Sequence, residues 1–387
     1  LDSYRYSANA GVTPAIACMG EKDIFFDAHV IMGNAMRDEG LEMVNLLSPG
    51  TGHMIDPKTH GEQMRRIAEY ANMGLDHDPK SLRFVTWTLK YSRCHWLRIL
   101  QLQRHYERTE FVARLNEDGE LRVEQTKNIE RFAIDPPMAS ERVVRVAIGG
   151  QTLAPPIRTG AADTAAWIFF KEGERWHVKS STDMNSIDAR PQGKRPGLQG
   201  PLDDAFTDRF VCVRGTGTPW NPTAAAAAEA SLRRFEYEWR RYFRGAAPVV
   251  DDTEVDARLL ASTHLILFGD PGSNRWIREA LPKLAIQWNS KTLTVAGKEY
   301  ASSEHLPVLI VPGQVAGAEN RYWVFNSGHS FHEPELSSLN YLLYPRLGDW
   351  AVLKVGTPRV EAKSPPAAVV EEVVDFGLSD ESWRPIR

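Results

Sequence analysis

An aspartate and a histidine in the first sixth of this sequence are well suited to acid–base chemistry. Asp23 ends a run of mostly small and apolar residues that begins at Ala15. His53 follows a second apolar run, 43–47, within the segment Ser48-Pro-Gly-Thr-Gly-His53. A carboxylate bonded to one imidazole nitrogen holds the ring in a single tautomer and stabilises the imidazolium that forms during catalysis. The two residues therefore suit the roles of general base and orienting acid.

The elements around this pair are predicted to alternate between strand and helix. A helix is expected between the two apolar runs, ending at Gly40, and a second helix is expected from Asp56, with proline at its first position. Gly50 and Gly52 make the histidine loop conformationally permissive. The apolar stripes of the two helices have i, i+3, i+4 spacing: Ala28, Ile31, Met32, Ala35 and Met36, then Met64, Ile67, Ala68 and Ala71.

The chain order of acid and base is that of the second half of a Ser…Asp…His series on an α/β-hydrolase sheet. The sequence contains no G-x-S-x-G motif, and the nearest approach to it is Gly328-His-Ser330-Phe-His332. Adjacent residues on an extended loop point apart, which disfavours a second hydrolase centre built from His329 and Ser330. Only 22 residues precede Asp23, and the sequence starts at Leu1. We therefore expect the C-terminal part of a longer protein, with its nucleophile upstream.

Residues 12–77 resemble the C-terminal end of the catalytic domain of prolyl-oligopeptidase-like serine peptidases and related esterases. The resemblance rests on Gly20-Glu-Lys-Asp23, where that family has its acid, and on Gly50-Thr-Gly-His53, where it has its base. It implies a peptide or ester substrate, a hydrolase segment N-terminal to this chain, and a periplasmic or secreted location. The absent serine motif is the main departure. Three further segments are similar to extensions of large bacterial multidomain hydrolases of this type: Phe84–Tyr91, Phe268–Asn274 and Tyr344–Trp350.

Composition limits the other functional classes. The chain has 387 residues, of which 42% are hydrophobic and 25% charged, as in ordinary globular proteins of two or three domains. The net charge of −4 gives no basic surface field for nucleic acid. No apolar run approaches the ~18 residues of a membrane span. Three cysteines, Cys18, Cys94 and Cys212, have neither metal-ligand spacing nor a disulfide pattern. No metal or cofactor is expected.

The periodicity changes along the chain and predicts an α/β protein of several parts. Hairpin patterns around 111–125 and 167–178 favour a small antiparallel, sandwich-like β domain. Continuous apolar strands alternating with helices favour a Rossmann-like α/β domain beyond it. Residues 184–200 have the composition of a linker. The expected organisation is a C-terminal piece of an α/β-hydrolase domain at 1–78, the β-rich domain at 82–183, the Rossmann-like domain at 201–357 and a tail at 358–387.

The Rossmann-like region offers an alternative function, that of a non-catalytic binding module with a ligand crevice. Strands at 209–213, 264–268 and 321–325 are expected to be parallel neighbours, and small-molecule sites favour the carboxyl ends of such strands. A helix N-terminus beyond 269–274 would favour an anion, although a tight turn with an N-cap explains the same residues. A sugar-binding platform in the β domain, formed by Trp87, Trp96, Trp167 and Trp176, is a further alternative. The candidate ligand-binding residues are Arg214, Asp270, Ser273, Asn274 and His329.

Overall fold

The computed structural model describes residues 3–136, 143–156, 165–181, 193–327, 347–356 and 370–387. The protein is broadly α/β, with helices and several mixed and antiparallel sheets. Its chain divides into two compact units, Leu1–Ala189 and Arg190–Arg387. The sequence predicts four segments rather than two units, because local patterns do not show which regions pack together. No helix in the described ranges is long and apolar enough to cross a membrane.

The first part of unit one has the predicted alternation of strand and helix. Its two strands are parallel, with Ile16 opposite Val44 and Gly20 opposite Ser48. A 3₁₀ segment, Ser3–Val12, precedes them. Asp56 caps the second helix, since its side chain accepts hydrogen bonds from the backbone of the first turn. The elements are β1 (Ile16–Gly20), α1 (Phe26–Asp38), β2 (Val44–Ser48) and α2 (Pro57–Met73).

The β-rich part of unit one consists of two five-stranded sheets, in the orders β10-β9-β7-β6-β3 and β12-β11-β8-β5-β4. Both predicted hairpins form, β6 with β7 and β11 with β12. The pairing is antiparallel except between β7 and β9, which are parallel. The strands are β3 (Ser81–Thr86), β4 (Arg93–Cys94), β5 (Leu97–Leu102), β6 (Thr109–Leu115), β7 (Glu120–Lys127), β8 (Ile129–Ile134), β9 (Arg145–Ile148), β10 (Gln151–Leu153), β11 (Ala166–Glu172) and β12 (Arg175–Ser181).

Aromatic side chains from both sheets share one core. Phe111 of β6 lies 5.1 Å from Phe132 of β8, measured between ring centroids, and Phe132 stacks on Phe169 at 4.8 Å. Of the four tryptophans in the predicted sugar platform, Trp96, Trp167 and Trp176 are buried, as most strand tryptophans are, and Trp87 is partly exposed. The four side chains therefore do not form an exposed platform.

Hydrogen bonds join the β-rich part to the α/β part. The side-chain amide of Asn9 donates to the carbonyl of Val85 at 2.8 Å and its oxygen accepts from the Val85 N–H at 2.7 Å. Arg83 and Arg108 both form ion pairs with Glu39, which follows α1. These contacts unite the regions that the sequence separates at residues 78–82.

Unit two contains a mixed seven-stranded sheet in the order β14-β13-β15-β20-β19-β21-β22. Its first four strands are parallel and its remaining pairings are antiparallel. The predicted parallel arrangement of three strands is confirmed: Phe210 lies opposite His264, and Leu265 opposite Trp323. The sheet strands are β13 (Phe210–Arg214), β14 (Val249–Asp251), β15 (His264–Phe268), β19 (His305–Pro312), β20 (Tyr322–Phe325), β21 (Trp350–Val355) and β22 (Val370–Gly377).

Helices and a small antiparallel sheet complete unit two. The longest helix buries Leu232 and Phe235, which lie three residues apart on one face. The small sheet has the order β16-β17-β18. The remaining elements are α3 (Pro222–Phe243), α4 (Ala257–Ser262), α5 (Arg275–Ala280), β16 (Gln287–Trp288), β17 (Thr292–Val295) and β18 (Lys298–Ala301).

Lys194, in the segment expected to be a linker, forms a buried ion pair with Asp349 and a hydrogen bond to the segment expected to be a tail. The Lys194 ammonium donates to Asp349 Oδ2 at 2.7 Å and to the Ser379 carbonyl at 3.0 Å, and the Lys194 and Asp349 side chains are fully buried. Residues 370–377 form β22, an edge strand, so this portion of the predicted tail belongs to the sheet. The lysine and aspartate lie 155 residues apart in sequence, and their contact has no local signal.

Candidate active site

The structure brings the two predicted acid–base residues together. Nδ1 of His53 lies 2.8 Å from Oδ2 of Asp23, which confirms the predicted hydrogen-bonding distance. The Asp23 side chain is 5% exposed and that of His53 is 81% exposed. The carboxylate is thus shielded, and the imidazole it supports reaches solvent.

Asp23 lies in the turn between β1 and α1, where backbone groups fix its carboxylate. Its Oδ1 accepts a hydrogen bond from the Phe25 N–H at 2.9 Å. This bond and, to a smaller extent, the bond to His53 hold the pKa of Asp23 below its ordinary value, although partial burial acts in the opposite direction. Asp23 is therefore ionised at neutral pH and only accepts hydrogen bonds. A neutral His53 in this bond carries its proton on Nδ1 and a lone pair on Nε2.

The loop that carries Asp23 also holds the loop that carries His53. The Lys22 N–H donates to the Thr51 carbonyl at 2.8 Å, and Glu21 Oε2 accepts from the Gly50 N–H at 2.8 Å. Gly50 has a φ of 66°, which glycine adopts without strain. Asp23 and His53 are consequently positioned as one assembly.

A second carboxylate anchors the far side of the histidine loop. The Ser48 hydroxyl donates to Asp56 Oδ2 at 2.7 Å and accepts from the Asp56 N–H at 2.7 Å. Asp56 also accepts from the Thr59 hydroxyl and from the N–H groups of Lys58 and Thr59. These bonds lower the pKa of Asp56 far below its ordinary range, the Thr59 and Ser48 hydroxyls contributing most. Ser48 is fully buried in this network, so it has a structural role.

Within the described ranges, Asp23 is the residue hydrogen-bonded to the His53 ring. Burial and the Asp56 charge raise the pKa of the Cys18 thiol on β1, which lowers its thiolate fraction. Ser330, in the nearest approach to a serine motif, lies outside the described residues. No group of three or more His, Cys, Asp or Glu side chains in the described part of the chain is placed to hold a metal ion.

In unit two, Asp270 braces the loop after β15. Its Oδ1 accepts from the N–H groups of Gly272 and Ser273 at 2.9 and 2.8 Å and from the Ser273 hydroxyl at 3.0 Å. Its Oδ2 accepts from the Trp220 N–H at 2.7 Å, across to the loop after β13. Four donors thus occupy this buried carboxylate.

The other predicted ligand-binding residues at this rim are similarly engaged. Asn274 is fully buried, caps α5, and donates to the carbonyls of Val213 and Phe268. Arg214 Nε donates to Asp251 Oδ1 at 2.8 Å. His329 lies outside the described residues. The contacts give Asp270, Ser273 and Asn274 a structural role, and ligand binding by these residues stays a prediction.

Sequence reasoning missed two residues of the site. Phe25 supplies the N–H that fixes Asp23, and its ring contacts His53 edge-on at a centroid distance of 5.9 Å. Glu21 ties the histidine loop through Gly50. Their proximity to Asp23 in the sequence was the available signal, but neither contact follows from residue type alone.

Comparison of the chain with protein-family models, with curated proteins and with solved structures gives no match.

Proposed function

We propose that Asp23 and His53 are the acid and base of a Ser-His-Asp triad in a serine hydrolase, a peptidase or a carboxylic-ester hydrolase. The observation that carries the proposal is the 2.8 Å hydrogen bond between a shielded carboxylate and an imidazole that is 81% exposed. The nucleophile is assigned to polypeptide outside this sequence, because the 387 residues contain no G-x-S-x-G motif.

Asp23 and His53 each have a defined role in the proposed proton transfers. Asp23 keeps the proton of neutral His53 on Nδ1, so Nε2 accepts the proton of the attacking serine hydroxyl as its oxygen bonds to the substrate carbonyl carbon. The imidazolium that results is stabilised by the ionised Asp23. Nε2 then returns the proton to the leaving amine or alcohol. The second half of the cycle repeats these transfers with water as the nucleophile.

The alternative, a ligand crevice in the region 201–357, has weaker support. Three parallel strands do end at one rim. The carboxylate, amide and backbone groups there bond mainly to one another, and Asp252 and Asp270 would repel an anion. No described contact at this rim favours a ligand over a structural brace.

Labelling with a fluorophosphonate probe tests the proposed function. Purified residues 1–387 should not label, whereas the natural protein, captured with an antibody to this chain, should label at one serine outside it. His53→Gln in the natural protein should abolish that labelling, and His60→Gln, on α2, should not. Labelling of a serine within 1–387 would show that the nucleophile is misassigned. Absence of labelling in the folded natural protein would contradict the hydrolase assignment.

A further inference from the structure

The His53 ring is largely exposed and is held by a hydrogen bond to Asp23. A single hydrogen bond through Nδ1 leaves the imidazole able to swing away from Asp23, since 81% of the side chain is exposed and water competes for the same donor. A catalytic base must be held near its productive orientation for proton transfer to be efficient. A second contact to the ring therefore has functional importance.

Phe25 makes that second contact. Its ring lies edge-on to the imidazole, with a centroid distance of 5.9 Å and an interplanar angle of 71°. This is an arrangement that aromatic pairs favour. The Phe25 side chain contributes no large buried surface to the fold, because the residue is 57% exposed.

The backbone of Phe25 acts on the other member of the pair. Its N–H donates to Asp23 Oδ1 at 2.9 Å, which leaves Oδ2 directed at His53. One residue thus orients the carboxylate through its backbone and the imidazole through its ring. The turn from β1 into α1 places both groups, because Phe25 immediately precedes the first residue of the helix.

We propose that Phe25 is a positioning residue for the acid–base pair, holding the His53 ring in the orientation in which Nδ1 faces Asp23. The inference rests on the proposed function for its catalytic meaning. The geometric claim is independent of the nucleophile. It predicts that removing the ring, with the backbone left intact, frees the imidazole without unfolding the chain.

The tautomeric state of His53 tests this in residues 1–387. Two-bond proton–nitrogen correlation spectra, recorded through the carbon-bound ring protons in mildly alkaline buffer, report the tautomer of the neutral ring. The wild-type protein should show predominantly the Nδ1-protonated form. In Phe25→Ala, the ratio of this form to the other should fall by about two- to tenfold, the range expected for loss of an aromatic edge contact.

Matched variants separate positioning from folding. Phe25→Tyr keeps the ring and should restore the wild-type ratio. Ile24→Ala removes a neighbouring side chain that is 86% exposed and should leave the ratio unchanged. Circular dichroism should show the same thermal transition in all variants.

The outcomes distinguish the two proposals. An unchanged tautomer ratio in folded Phe25→Ala would overturn the positioning role of Phe25 and leave the acid–base pair intact. A wild-type spectrum without a predominant Nδ1-protonated form would instead contradict the proposed function itself. A change in Ile24→Ala as large as that in Phe25→Ala would also overturn the specific role of Phe25.

Discussion

Gly20, at the end of β1, packs directly against the carbonyl oxygen of Gly52 in the histidine loop. A Cβ atom at position 20 would overlap that oxygen and lie 2.6 Å from the carbonyl oxygen of Thr51. The absence of a side chain at Gly20 is therefore what allows the two loops to meet, and it fixes how closely His53 approaches Asp23.

Gly20→Ala should displace the histidine loop. We expect the free energy of unfolding of unit one to fall by about 1–3 kcal/mol, the usual cost of forcing extra atoms into a packed site. The hydrogen bond between Asp23 and His53 should weaken, and a change in the NMR signals of the His53 ring would report this. Gly52→Ala is the matched control, because a Cβ there meets no atom within 4 Å. Equal effects of the two variants would contradict this packing relationship.

Acid should destabilise unit one partly through Asp56. Its hydrogen bonds hold its folded-state pKa below the ordinary value of 3.8. A group with a depressed folded-state pKa contributes stability in full above its unfolded pKa, and that stability is lost as pH falls through the folded value. We expect the melting temperature to fall with pH below about 4. Asp56→Asn should remove this part of the pH dependence, and an identical slope in the variant would contradict it.

The buried ion pair of unit two should be sensitive to loss of one partner. Lys194→Met leaves the Asp349 charge buried and should cost about 3–5 kcal/mol of unfolding free energy. Lys298→Met, at a half-exposed lysine 4.0 Å from Asp375, should cost no more than about 1 kcal/mol. The double variant Lys194→Met, Asp349→Asn removes both charges and should recover part of the loss in denaturant titrations. A cost for Lys194→Met as small as for Lys298→Met would contradict the predicted role of the pair.

Asp270 should behave as a structural brace. Asp270→Ala leaves buried backbone donors without an acceptor and should cost about 1–3 kcal/mol or more. Asp251→Ala removes only a partly exposed ion pair with Arg214 and should cost less than about 1 kcal/mol. Chemical denaturation followed by tryptophan fluorescence measures both. A stable Asp270→Ala variant, together with phosphate-induced shifts of the amide signals of residues 270–274 in the wild type, would favour the ligand crevice instead.

The parts of the fold with local signals were predictable from the sequence. Gly40, Asp56 and Pro57 mark helix ends, and the alternation of strand and helix around Asp23 and His53 follows from periodicity. The contact between Asp23 and His53 was predictable because each residue follows one of two neighbouring strands. These signals act over a few residues or through a known order of elements.

Contacts between distant residues were not predictable in the same way. The ion pair of Lys194 with Asp349 and the amide bonds of Asn9 with Val85 depend on how regions pack, which residue type does not encode. For this reason the predicted divisions at 78–82 and 357 have no counterpart in the two compact units, whereas the boundary between the units, after Ala189, lies within the predicted linker 184–200. Phe25 was missed because its role comes from the turn geometry at Asp23 and from its contact with His53.

Turnover by Asp23→Asn tests the central claim most directly. In the natural protein, asparagine at this position would favour the wrong tautomer of His53, and kcat for an activated ester should fall by about 10⁴, as for the corresponding change in a well-studied triad. Asp27→Asn, at an exposed aspartate in the first turn of α1, is the control and should leave kcat unchanged. A kcat for Asp23→Asn equal to that of Asp27→Asn would contradict the assignment of Asp23 and His53 as acid and base.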